Sequence, residues 1–186
     1  MTRLTLLIIN VLVFHTCWLA TAFGAAHGLA WMGPAFVIPG LILHFILIEN
    51  RFRELSTILC VTFIGFSIDY LHHYLGLVQF HPDQLFLGLP PVWLFFQWII
   101  FATLLRVSLD WLKGQYAIAA VLGAVGGPLA YWAAEQLNAL MFGESVVFGL
   151  GVMAFNWAWM TALFVWIAHC PGTTPAQLPH ERTASP

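Results

Sequence analysis

Charge is what this sequence has least of. Of its 186 residues, only 6 are Lys or Arg and 8 are Asp or Glu, or 8% of the chain, where soluble domains carry roughly 25%. A soluble domain is excluded on that count. The high apolar content excludes a disordered chain. The net charge of −2 leaves no basic excess for nucleic acid, so no nucleic-acid partner is expected. Cysteine is equally sparse. Cys17, Cys60 and Cys170 have no metal-finger spacing and lie too far apart in the pattern to imply a bridge.

What is present is apolar: 61% of the residues are hydrophobic and 16% aromatic. Runs such as LTLLIINVLVF do not alternate, which excludes a membrane barrel. A helix needs about 20 apolar residues to cross a hydrocarbon core. Six stretches meet that rule: Leu4–Phe23, Leu29–Ile48, Leu55–Leu77, Val92–Leu109, Tyr116–Met141 and Ser145–Ala168. The expected fold class is therefore all-α, a polytopic six-transmembrane-helix bundle over residues 1–170. Residues 171–186, PGTTPAQLPHERTASP, read as a disordered cytoplasmic tail. The first stretch is too long for a signal-peptide core, so it is expected to stay as a helix.

The six cations, Arg3, Arg51, Arg53, Arg106, Lys113 and Arg182, all fall on the N-terminal side of that scheme. The positive-inside rule then predicts both termini in the cytoplasm. Arg106 sits about one turn from the inner end, where its side chain can reach the surface.

Ionisable groups inside a span cost roughly 2.5–3.5 kcal/mol at mid-bilayer and usually have a partner or face a cavity. Two acids lie well inside, Asp69 and Glu135. Asp69 is about 21 Å past Leu55 at the helical rise, in the outer half. His72 and His73 follow at i+3 and i+4, on the same face. An acid beside an imidazole can move a proton or hold a metal ion. On the fifth stretch Gly123, Gly127, Tyr131, Glu135 and Asn138 share one face, with a GxxxG pair for close helix contact. His15, Gln97 and Asn156 add polar groups in the outer half, while Asn10 and His44 stand apart in the inner half. The candidate catalytic cluster is thus Asp69, His72, His73 and Glu135. His15, Gln97, Tyr131, Asn138 and Asn156 are the candidate substrate-binding groups. A structural Asp–His pair is the competing reading. No metal spacing is present, and the sequence names no cofactor.

Three motifs carry a resemblance: Gly65-Phe66-Ser67-Ile68-Asp69, the Trp-rich run from Pro90 to Leu112, and GAVGGPLAYWAAEQL from Gly123. Together they resemble an uncharacterised family of bacterial inner-membrane proteins classed only as a domain of unknown function (DUF2878). The likeness covers nearly the whole chain and maps its signature onto Asp69, Trp93, Trp98, Ser108, Trp111, Gly127, Pro128 and Tyr131. It implies a fold rather than a reaction, in the bacterial inner membrane. It also implies association with lipid-modifying enzymes, including cyclopropane-synthase-like ones. Glu135, Asn138, His72 and His73 depart from the pattern.

Three functions follow as expectations. The first is a lipid-modifying enzyme, or an accessory to one, with membrane lipid as partner and Phe80, Leu85, Phe86, Leu87 and Leu89 as an interfacial flap. The second is a small proton-coupled secondary transporter, and the third a structural scaffold. A pocket open sideways favours the first, an aqueous vestibule the second, and a filled core the third.

Overall fold

A computed structural model describes residues 2–85, 87–143 and 145–170. It contains six α-helices: α1 (Arg3–Ala26), α2 (Met32–Leu47), α3 (Arg51–Tyr74), α4 (Val92–Ala102), α5 (Tyr116–Gln136) and α6 (Val146–His169). Three of them begin at side-chain caps. Thr2, Asn50 and Ser145 accept from the backbone amides of Thr5, Arg53 and Phe148. Each cap satisfies an amide that has no partner within its helix. The Asn50 cap explains why α3 begins inside the charged ENRFRE segment, four residues before the predicted start.

Four helices, α1, α3, α5 and α6, are long and apolar enough to cross a membrane. The other two stretches depart from the expected spans. α2 has 16 residues and α4 only 11. At 1.5 Å per residue α4 is about 16 Å long, short of a hydrocarbon core of about 30 Å. The predicted helix from Val92 to Leu109 stops at Ala102 for a local reason. The Thr103 hydroxyl donates to the carbonyl of Ile100 at 2.7 Å, and the amides of residues 103–105 bond three residues back instead of four. The side chain competes with the helical ladder, and the backbone tightens. Asn10 of α1 then serves the irregular stretch, donating to Thr103 O at 3.3 Å and accepting from the Ser108 hydroxyl at 2.6 Å.

The fifth predicted span, to Met141, also ends early, at Gln136. The chain turns through Asn138, whose φ of 62 is left-handed, a conformation Asn tolerates better than most residues. It then forms a two-residue strand absent from the sequence reading. This strand, β2 (Met141–Phe142), pairs antiparallel with β1 (Val78–Gln79), Val78 opposite Phe142.

α5 packs along α6, α3 against α4 and α6, and α1 against α2 and α4. The short α4 therefore lies at the centre of the helical layer. One core cluster, with Phe80, Trp93, Tyr131, Leu140 and Met153, surrounds the strand pair. A second, with Val61, Trp98, Leu105, Met160 and Phe164, fills the other half. Outward faces stay apolar: Leu4, Ile8, Leu12 and Leu19 form an exposed stripe on α1, and Val121, Val125, Leu129 and Trp132 form one on α5.

The predicted flap is fastened to the bundle. Phe80 is core, against Trp93 and His73. Gln84 donates to Ala25 O at 2.7 Å and accepts from the Trp93 indole at 3.1 Å. Leu85 is partly buried, and Leu87 and Leu89 are exposed. Phe86 and the predicted 171–186 tail lie outside the described residues.

Candidate functional site

Asp69 sits on α3 one turn beyond Gly65. A side-chain carbon at Gly65 would lie 2.2 Å from the Trp98 ring, so the glycine is what lets the indole of α4 lie on α3. In that slot Trp98 Nε1 donates to Asp69 Oδ2 at 2.6 Å. The same device recurs on α5. Gly127 accommodates the Trp157 ring, and one turn further the Tyr131 hydroxyl donates to Asp69 Oδ1. Trp98 and Trp157 stack with centroids 5.0 Å apart. Two glycine slots, two indoles and one carboxylate therefore join α3, α4, α5 and α6. The expected close approach of the Gly123–Gly127 face is present, since a Cβ at Gly123 would lie 2.3 Å from the Trp157 carbonyl.

His72 is buried beside the carboxylate, its Nδ1 3.7 Å from Asp69 Oδ1. Its tautomer follows from its neighbours. The Trp159 indole, which can only donate, meets Asn156 Oδ1 at 3.2 Å, so the Asn156 amide nitrogen faces His72 Nε2, at 2.8 Å. That nitrogen must accept, which leaves the proton of neutral His72 on Nδ1, toward Asp69. Asp69 thus accepts from two donors, Trp98 and Tyr131, and has the Nδ1 side of His72 beside it at 3.7 Å, beyond hydrogen-bond distance.

Of the nine predicted site residues, Asp69, His72, Tyr131 and Asn156 come together here. His73, Glu135 and Asn138 do not. They tie the strand end of the bundle. His73 donates to Val78 O at 3.2 Å, Glu135 accepts from the Phe142 amide at 3.2 Å, and the Asn138 carbonyl accepts from His81 at 3.1 Å. The shared helical face of α3 and α5 was real, but the chain beyond each helix end captured these groups. Among the described residues no group of three His, Cys, Asp or Glu side chains is placed to hold a metal ion.

His15 and Gln97 line a cavity of about 540 Å³ on the other side of the aromatic layer. α1 contributes Phe14, His15 and Trp18; α4 contributes Trp93, Gln97, Trp98 and Phe101; α5 contributes Gly123, Gly126, Gly127 and Tyr131; and α6 contributes Trp157 and Thr161. Leu122 and Leu129, both on the lining, are exposed on the flank of α5, and His15 is exposed on α1. The cavity therefore opens sideways between α1 and α5. No Lys, Arg, Asp or Glu lines it among the described residues. Trp98 and Tyr131 are its wall, and Asp69 holds that wall from behind. Sequence reasoning missed Trp18, Trp157 and Gly126 as lining groups. Gly126 stands next to the packed Gly127 with nothing within 4 Å of a Cβ placed there, a difference between the two glycines that only the structure reveals.

A second buried polar group lies toward the opposite end. Glu54, fully buried, accepts from His44 Nε2 at 2.8 Å and pairs with Arg106 Nε at 3.3 Å. The surface reading of Arg106 and the isolated reading of His44 are both replaced by this trio. The signal in the sequence is Glu54 itself, which stands just before the predicted span from Leu55 and is brought into α3 by the Asn50 cap.

The chain is thus an apolar-flanked helical bundle whose cavity, among the described residues, is lined by no charged side chain. Residues 7–163 match the family described as a protein of unknown function, DUF2878, and the chain belongs to that family. Its three motif stretches are those that meet at Asp69 and the cavity wall. No curated protein and no solved structure is found to match the chain.

Proposed function

We propose that this is an integral membrane protein that takes the chain of a membrane lipid into the cavity between α1 and α5. One observation carries the reading. The cavity is apolar and aromatic, opens on the flank of the bundle, and at about 540 Å³ falls within the roughly 300–1,000 Å³ of ligand sites. A transporter would need an aqueous vestibule, and a scaffold a filled core. The Asp69–His72 pair does not line the cavity, which favours a lipid-holding accessory over an enzyme with a solvent-reachable acid–base pair. In the lipid-modifying version, Tyr131 would be the group that touches ligand, with Asp69 positioning its hydroxyl.

Six membrane crossings with both termini cytoplasmic complete the reading, the fourth made by α4 together with the turns that continue it to Leu112, in the bacterial inner membrane that the family resemblance implies. The distribution of charge supports this orientation. Arg3 pairs with Asp110, His169 bonds the same Asp110, and Arg53 donates to Cys170 O, which gathers polar groups from four segments at one end.

Lipid extraction and mass spectrometry of the detergent-purified protein test the function. The wild type is expected to retain a bound lipid, and Gly126→Phe, which fills the cavity from an unobstructed position, is expected to lose it. Equal lipid content in the two would overturn the proposal.

A further inference from the structure

We infer that the cavity selects an uncharged lipid bearing a hydroxyl group, which donates its hydrogen bond to His15 Nε2. The inference rests on the lipid-cavity reading above and narrows it to a ligand class. His15 is the thirteenth residue of the 24-residue α1, about 18 Å along it, and is exposed there. Its Nδ1 lies 2.8 Å from the Val11 carbonyl, an acceptor, so Nδ1 carries the proton of the neutral ring. Nε2 is then a bare acceptor, and it has no hydrogen-bond partner among the described residues. With that flank in lipid, as the membrane reading places it, the acceptor has no water to bond, and a donor from the ligand removes the cost of leaving it unpaired. The donor is not a charged one. No cationic or anionic side chain lines the cavity, so an ionised headgroup drawn inside would lose its hydration with no counter-charge. Of the other polar wall groups, the Tyr131 hydroxyl donates to Asp69 and Gln97 Nε2 donates to Trp18 O at 3.3 Å, while Gln97 Oε1 and Thr161 Oγ1 are buried without a partner and are the competing groups that a His15→Phe variant separates from His15. What fits is a long apolar body with one neutral hydroxyl, such as a fatty or polyprenyl alcohol or an acylglycerol.

Trp18, Trp93, Trp98 and Trp157 line the cavity and report on occupancy by quenching. Three brominated probes share one chain: dibromostearyl alcohol, dibromo-octadecane, and the always-anionic sulfate ester of the alcohol. They are titrated into the purified full-length protein in an uncharged detergent. The alcohol is expected to quench saturably with an affinity about tenfold above both other probes, the effect of one net hydrogen bond. His15→Phe is expected to bring the alcohol down to the alkane. Gly126→Phe is expected to abolish saturable quenching by all three, with Ala130→Phe as a second block one turn along α5. Quenching that neither block alters overturns the cavity reading itself. Quenching that is block-sensitive but equal for the three probes leaves the cavity standing and overturns the ligand class. An alcohol preference that survives His15→Phe overturns the assignment to His15.

Discussion

The Trp98 indole donates to Asp69 at 2.6 Å across the α3–α4 contact, and it reaches there because residue 65 has no side chain. A carboxylate buried to 2% exposure is thereby held by a donor that cannot reverse its role. Tyr131, the second donor, can reverse.

That difference predicts how Asp69 responds to substitution. In Asp69→Asn the amide oxygen can face Trp98 and the amide nitrogen Tyr131, whose hydroxyl turns to accept. Thermal unfolding in detergent should show a loss of no more than about 1 kcal/mol. Asp69→Leu leaves two buried donors unpaired and should cost about 2–5 kcal/mol. Similar losses for the two variants would mean that charge, not hydrogen bonding, holds the wall.

Adjacent glycines should answer oppositely. Gly126→Ala adds a methyl where nothing lies within 4 Å and should gain up to about 1 kcal/mol from helix propensity. Gly127→Ala would place its methyl 2.1 Å from the Trp157 ring and should lose about 1–3 kcal/mol. Midpoints shifting in the same direction would show that α5 faces α6 differently.

Breaking the Glu54 trio should matter more than breaking the surface pair. Glu54→Ala strips the partly buried Arg106 of its counter-charge and empties a fully buried site beside His44, for a loss of about 2–4 kcal/mol. Arg3→Ala removes an exposed ion pair with Asp110 and should cost about 0–1 kcal/mol. Denaturation of the two variants side by side tests the ranking, and a mild Glu54→Ala would refute it.

Cysteine labelling in intact cells tests orientation. In a background lacking the three native cysteines, Asp83→Cys should react with an impermeant maleimide from outside and Lys113→Cys only after permeabilisation. The reverse pattern would overturn the proposed topology.

Much of the architecture was legible because it depends on local composition. Long uncharged runs specify helices, and the i, i+3 and i+4 spacing places Asp69 and His72 on one face whatever they meet. The Gly123–Gly127 face was readable for the same reason. Helix ends were less so. The stop of α4 depends on the Thr103 hydroxyl choosing its own backbone carbonyl, and the start of α3 on the Asn50 cap.

Periodicity and the cost of charge in apolar surroundings are enough to specify an all-helical chain with apolar flanks and an acid–imidazole face on α3. What that face meets is set by the packing of the helices. The donors to Asp69 come from 29 and 62 residues away, and His72 is served by Asn156, 84 residues distant. Those pairings depend on how one helix slides and turns against another, which periodicity within a helix does not specify. The same register diverted Glu135 and His73 to the strand pair, joined His44 to Glu54, and left open between α1 and α5 the space that the proposed ligand fills.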